Sequence, residues 1–91
     1  EQLAVRQVAA GAWIALWAAE REQEVLTALR EQSALAIRLA EARLGSGAGS
    51  TAEALAVQAA GLDLENRIDA ARAEVEVARG TLARWLGVDP T

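Results

Sequence analysis

Apolar residues recur along the first half of the chain with the three-and-four spacing of a helix that packs against another helix. Residues 3–44 contain no proline, so we expect one helix over about residues 3–44. The predicted seam of this helix consists of two heptad columns, beginning at Val5 and Val8. Nine of its eleven positions are apolar: Val5, Val8, Ala12, Ala15, Ala19, Glu22, Leu26, Leu29, Ser33, Ala36 and Ala40.

A second group of apolar residues widens the hydrophobic arc of this helix. The group occupies two adjacent heptad columns: Gly11, Ile14, Ala18, Arg21, Val25, Ala28, Gln32, Leu35, Leu39 and Ala42. Together the two groups exceed the arc of roughly 100° that an ordinary surface helix buries. We therefore expect this helix to contact more than one neighbour.

The second half of the chain has the same periodicity over about residues 51–86. Its predicted seam contains no polar residue: Ala54, Val57, Gly61, Leu64, Ile68, Ala71, Val75, Ala78, Leu82 and Trp85. Its opposite side carries small residues, which permit close approach of another helix: Ala52, Ala56, Ala59, Ala70, Ala73, Val77 and Gly80. Gly87 and Pro90 are expected to end this helix.

Three glycines, Gly45, Gly47 and Gly49, separate the two helices. Glycine adopts positive φ at little cost and commonly ends a helix, so the chain is expected to reverse at residues 45–50. Ser50 and Glu53 have the spacing of a capping box, in which each side chain accepts a hydrogen bond from the backbone amide of the other residue. The predicted fold is all-α, a long antiparallel two-helix coiled-coil hairpin over residues 1–91, which we interpret as a fragment of a longer chain.

Composition argues against several kinds of function. The net charge is −4, and the nine basic residues, all arginine, form no cluster, so we expect no nucleic-acid partner. Cysteine and histidine are absent and no cleft is expected between two helices, so we predict no enzyme activity, no cofactor and no metal site. The acidic run at residues 20–24 is interpreted as a solvated helix face. The longest uncharged apolar run, residues 8–19, is too short to span a membrane.

All three tryptophans lie toward the open end of the predicted hairpin. Folding about Gly47 would place Trp13 level with Leu82 and within one turn of Trp85. Our interpretation is that these side chains pack as a plug at this end of the seam. Binding of an aromatic ligand is the alternative.

The turn resembles a known family signature. Its order is Arg43, Leu44, two residues, Gly47, five residues, then Glu53, Ala54 and Leu55. This order resembles the R-[YF]-x-x-G-x-x-x-x-x-D-V-L signature of TolC-like outer-membrane efflux proteins. The segment LARWLG at residues 82–87 is similar to the L-x-x-x-L-G that closes the same helix in that family. The Trp-Leu-Gly ending and the arginine-rich composition are most similar to the heavy-metal, Czc-type branch.

The resemblance implies a periplasmic hairpin of a bacterial outer-membrane protein. TolC-like proteins are trimeric channels with a β-barrel in the outer membrane and a long periplasmic helical barrel, and they export small solutes or metal ions. The turn contacts a periplasmic adaptor protein, and an inner-membrane pump is an indirect partner. By position, the adaptor-contact residues are Arg43, Ser46, Gly47 and Ala48, and Glu53 is the acidic residue at the pore entrance.

The chain departs from the family pattern at three positions. Leu44 replaces the usual aromatic residue, Glu53 replaces aspartate, and Ala56 provides no second acidic group. Two alternative functions remain open: the hairpin of a periplasmic adaptor protein and a generic coiled-coil scaffold. An adaptor tip usually carries R-x-x-x-L-x-x-x-x-x-x-S across its turn, and no arginine here begins that spacing.

Overall fold

Two long helices form the described part of the chain in a computed structural model, which describes residues 2–87. Helix α1 spans Gln2–Gly45 and helix α2 spans Thr51–Leu86. No strand occurs within residues 2–87. The predicted fold class, an all-α two-helix hairpin, is confirmed, and α1 extends one residue beyond each predicted bound. Gly87, at φ +72°, ends α2 as predicted, whereas Pro90 lies outside the described residues.

The contacts divide the chain into two units, each containing part of both helices. Residues 25–68 form one unit, which includes the turn and is called the tip unit here. The described residues 2–24 and 69–87 form the other, called the terminal unit.

The core of the terminal unit is a cluster of aliphatic side chains. Ala12 and Leu16 of α1 pack with Val75 and Leu82 of α2. Ala19 and Ala78 pack against this cluster. Because most of these residues are small, the helices can approach closely but bury only a narrow strip of side chains. Glu20 and Arg79 form an ion pair across the two helices, with 3.9 Å between Oε2 and Nη2.

The tip unit holds its helices together by a close contact and an ion pair. A Cβ atom on Gly61 would lie 3.1 Å from Ile37 Cδ1 and 3.2 Å from Ser33 Oγ, so glycine permits the observed approach. Arg30 donates two hydrogen bonds to the Glu65 carboxylate, at 2.8 and 2.7 Å. These contacts set which levels of α1 and α2 lie side by side in this unit.

The seam of α1 differs from the predicted one, whereas the seam of α2 is largely confirmed. On α2, nine of the ten predicted residues are buried or half-buried, and Trp85 is the exception. On α1, the predicted column that contains Ala12 and Ala19 is present in the seam. The predicted column that contains Ala15 and Ala36 is exposed, and the column one residue later takes its place. The buried or half-buried residues of α1 are Ala9, Ala12, Leu16, Ala19, Gln23, Leu26, Ser33, Ile37 and Ala40. This rotation buries Leu16 and Ile37 in place of Ala15 and Ala36, which removes more apolar surface from water.

Ile68 is fully buried, and its truncation tests the seam directly. We expect Ile68→Ala to lower the free energy of unfolding by about 2–4 kcal/mol, because it removes buried methylene groups and leaves a cavity. Chemical denaturation followed by circular dichroism measures this change. The matched control is Leu62→Ala, at an exposed leucine of the same helix, with an expected change within about 0.5 kcal/mol. Equal effects of the two substitutions would contradict this packing.

Candidate functional site

The turn between the helices is organised around one carbonyl group. The Arg43 carbonyl oxygen accepts hydrogen bonds from the amides of Ala48 and Gly49, each at 2.9 Å, and from Ser46 Oγ at 3.1 Å. Gly47, between these donors, has φ +83°, a left-handed conformation that favours glycine. The last turn of α1 is thereby capped by the residues that follow it, and the chain reverses with a defined geometry.

The other amides of the turn are also bonded to α1. The Ser46 amide donates to the Ala42 carbonyl at 3.0 Å, and the Gly47 amide donates to the Leu44 carbonyl at 3.2 Å. All four backbone N–H groups of residues 46–49 therefore donate to the end of α1. This many bonds over four residues makes the turn a fixed cap rather than a loose connection.

One of the two predicted hydrogen bonds of the capping box forms at the start of α2. The Glu53 amide donates to Ser50 Oγ at 3.1 Å, which is the predicted N-cap bond. The reciprocal bond is not the one that forms: Glu53 Oε2 lies 3.4 Å from Arg43 Nε instead of accepting from the Ser50 amide. The physical reason is charge, because a guanidinium is a stronger partner for a carboxylate than a neutral amide is.

Arg43 connects both sides of the turn. Its Nη2 donates to the Ala48 carbonyl at 3.2 Å, while its Nε faces Glu53. Both side chains are just under half exposed, and an ion pair this accessible to water contributes at most about 1 kcal/mol. The pair therefore matters more for holding the shape of the turn than for stability.

Gly49 lies so close to Arg43 and Glu53 that a larger residue would not fit at this position. A Cβ atom there would lie 2.6 Å from Glu53 Oε2 and 3.0 Å from Arg43 Cβ. The Arg43–Glu53 pair thus closes over a glycine backbone. This role of Gly49 was not predicted from the sequence. The available signal was a third glycine beyond the one or two that a turn requires.

The structure brings all five predicted site residues together in this turn. Ser46, Gly47 and Ala48 are exposed at its outside. Arg43 and Glu53 lie on its flank and contact each other. The contact of Arg43, Ser46, Gly47 and Ala48 with an adaptor protein stays a prediction, as does the place of Glu53 at a pore entrance.

The tryptophans do not form the predicted plug. Trp13, Trp17 and Trp85 are each about half exposed or more, and Leu16 and Leu82 fill the seam of the terminal unit instead. Trp13 and Trp17 lie outside the observed α1 column, so the rotation described above also turns them away from α2. An open groove of about 370 Å³ lies beside Trp85, lined by Thr81, Arg84 and Trp85.

Two of the three acidic residues of the predicted solvated face, Glu20 and Glu24, form ion pairs with arginines. Glu24 lies 3.4 Å from Arg21, and Glu20 pairs with Arg79. Over residues 2–87, no group of three acidic side chains is placed to hold a metal ion. Neither helix, over the same residues, has a stretch that is both long and apolar enough to cross a membrane.

Comparison with known proteins identifies no relative of this chain. No family model matches it, and neither a curated protein nor a solved structure matches it. The residues of the turn, their geometry and the exposed faces of the helices are therefore the observations from which a function can be inferred.

Two glycines of the turn region form a matched pair for mutation. We expect Gly49→Ala to lower the free energy of unfolding by about 1–3 kcal/mol, because its Cβ atom would lie 3.0 Å from Arg43 Cβ and 3.3 Å from the Arg43 carbonyl carbon, at the cap of α1. Gly45→Ala meets no atom within 4 Å and lies in α1, so it should be neutral or stabilising by up to about 1 kcal/mol. Denaturation midpoints measure both effects. Tolerance of alanine at both positions would contradict the close approach of Arg43 to Gly49.

Proposed function

We propose that this chain is one hairpin of the periplasmic helical barrel of a TolC-like outer-membrane channel in a tripartite efflux system. The transported substrates would be small solutes or metal ions. The observation that carries the proposal is the turn, where the two charged residues of the signature, Arg43 and Glu53, lie together over Gly49. Signature residues that share one contact form a unit, which supports interpreting their spacing as a motif.

The shape of the turn supports a docking role. The outside of the turn, residues 46–48, is exposed and carries no side chain larger than serine. A surface with so few side-chain atoms lets another backbone approach closely, and its internal hydrogen bonds mean that little conformational entropy is lost on binding. The proposed occupant is the hairpin of a periplasmic adaptor protein, with Arg43 holding the surface in shape.

Glu53 would contribute less negative charge to the proposed pore entrance than an unpaired acidic residue would. Its carboxylate is paired with Arg43, so the two charges offset each other locally. Ala56, one turn later, provides no second carboxylate. We therefore propose that this entrance would present less negative charge than one lined by two unpaired acids.

The exposed faces of the helices support a place inside a larger assembly. Large apolar side chains remain exposed along both helices, which is unusual for a chain that acts alone. In the proposed channel, neighbouring hairpins of a trimer cover them, and the inner-membrane pump is reached through the adaptor.

The docking role is best tested at Ala48. Gly47 is a poor choice, because its φ of +83° would strain any other residue and would confuse docking with folding of the turn. Ala48 is exposed, so Ala48→Trp should block the approach of a partner without disturbing the hairpin. In the assembled channel we expect at least about tenfold weaker adaptor binding, a change of about 1.4 kcal/mol, together with reduced export.

The control for this test is Thr27→Trp, an equally bulky substitution at an exposed position of α1 that lies outside the turn and among polar neighbours. It should leave adaptor binding and export unchanged. Trimer formation and membrane insertion should be normal in both variants. An assembled Ala48→Trp channel that binds the adaptor with unchanged affinity would contradict the docking role.

A further inference from the structure

The end of the hairpin opposite the turn differs in charge from the rest of the chain. This end consists of the described residues 2–19 and 80–87, all in the terminal unit, and is called the open end here. Its only charged residues are Arg6 and Arg84, which are both basic. Residues 20–79 instead mix acidic residues with arginines, beginning with the Glu20–Arg79 ion pair at the boundary. Positive charge is thus segregated to one end of a chain whose net charge is −4.

All three tryptophans lie in the open end at nearly one height. Counting along the antiparallel helices from the Glu20–Arg79 pair places Trp13 within one residue of the level of Trp85, and Trp17 is one helical turn away. Trp13, Trp17 and Trp85 are 55%, 67% and 47% exposed. An indole ring has an apolar body and a polar N–H group, so it is suited to a boundary between an apolar medium and water.

In the open end, α1 carries no charge on any side from Val8 to Ala19. This stretch has more than three helical turns and a length of about 18 Å. Helix α2 covers it on one side only, through contacts with Ala12 and Leu16. Ile14 lies about half a turn from both of these residues and is exposed. A helix that is apolar all round needs apolar surroundings, so the open end requires a cover that α2 does not provide.

We propose that the open end binds the surface of a phospholipid bilayer that contains anionic lipids. The tryptophans lie at the level of the headgroups, and the exposed apolar side chains beside them contact the upper part of the acyl chains. The uncharged stretch of about 18 Å is shorter than the roughly 30 Å of hydrocarbon in a bilayer. The open end therefore enters the interface and does not cross the membrane.

The two arginines favour lipid over a second protein surface as the cover. An apolar protein partner would remove Arg6 and Arg84 from water without supplying an opposite charge, which is costly. A second copy of the open end would bring two more arginines and no acidic residue, so like charges would meet. Phosphate headgroups instead present pairs of acceptor oxygens that match a guanidinium. The printed partner of Arg84, Thr81 Oγ1 at 3.3 Å, is neutral and leaves its charge in place.

This inference goes beyond the proposed function and does not rest on it. In the proposed channel the turn faces the adaptor, which puts the open end on the side of the outer membrane. Neighbouring copies then cover the apolar residues further along the helices. Ala48, the residue used to test docking, lies outside the open end, so Ala48→Trp should bind vesicles as the unchanged chain does. Loss of vesicle binding would likewise leave the test of adaptor docking unaffected.

Vesicle binding by the 91-residue chain tests the proposal. The probes are vesicles of phosphatidylcholine alone and vesicles of phosphatidylcholine with an equal part of phosphatidylglycerol, and binding is measured by co-sedimentation. Tryptophan emission reports on the open end directly, because all three tryptophans lie there. We expect binding to the mixed vesicles with emission shifted to shorter wavelength. Binding to phosphatidylcholine alone should be at least about tenfold weaker, because the attraction of two arginines to anionic lipid is lost.

Paired arginine variants locate the contact. Arg6→Gln combined with Arg84→Gln should weaken binding to the mixed vesicles at least about tenfold, because each arginine near an anionic surface contributes roughly fivefold. The matched control combines Arg67→Gln with Arg72→Gln, the same change of charge at two exposed positions outside the open end. Its affinity should stay within about twofold, because these positions are more than a Debye length of about 8 Å from the open end.

Three results would overturn the proposal. Absence of binding to the mixed vesicles would show that the open end has no affinity for lipid. Equal loss of affinity in the two double variants would show that the open end is not the part that binds. An emission shift that follows the concentration of the chain and does not respond to vesicles would show that second copies cover the tryptophans.

Discussion

A pair of helices can bury only one seam, and this constraint governs the whole chain. In each unit the buried side chains are few and mostly small, as Ala12 and Val75 in one unit and Ala40 and Ala54 in the other illustrate. Yet 53% of the residues are apolar, far more than one seam can cover. The remaining apolar surface is arranged in heptad lines rather than scattered, which indicates helices as its partners.

The geometry of the turn determines how that surface can be used. Capping of α1 by residues 46–49 fixes the point at which the chain reverses. The reversal point then sets which residues of α1 and α2 lie level in the tip unit, and the Arg30–Glu65 pair holds the same register further along. The docking surface and the alignment of the two helices in the tip unit thus depend on the same few hydrogen bonds.

Features that depend on local sequence could be predicted well. Glycine and the Ser50 cap marked the helix ends, and the uninterrupted apolar column of α2 identified its seam. The seam of α1 could be predicted only in half, because α1 has several apolar columns and its rotation is decided by contacts with α2, such as Arg30 with Glu65 and Gly61 with Ile37. The same rotation left Trp13 and Trp17 exposed. The side chain of Glu53 was assigned to its local cap because sequence spacing does not reveal Arg43 across the turn.

The central claim is that the hairpin is structurally incomplete and that neighbouring copies cover the apolar side chains that its seam leaves exposed. Sedimentation equilibrium of the 91-residue chain over a wide concentration range tests this claim most directly. The account predicts an average mass that rises above the 9.6 kDa of one chain as concentration increases, together with a rising thermal unfolding midpoint, because association stabilises the folded state. A mass of 9.6 kDa and a constant midpoint throughout the range would contradict it.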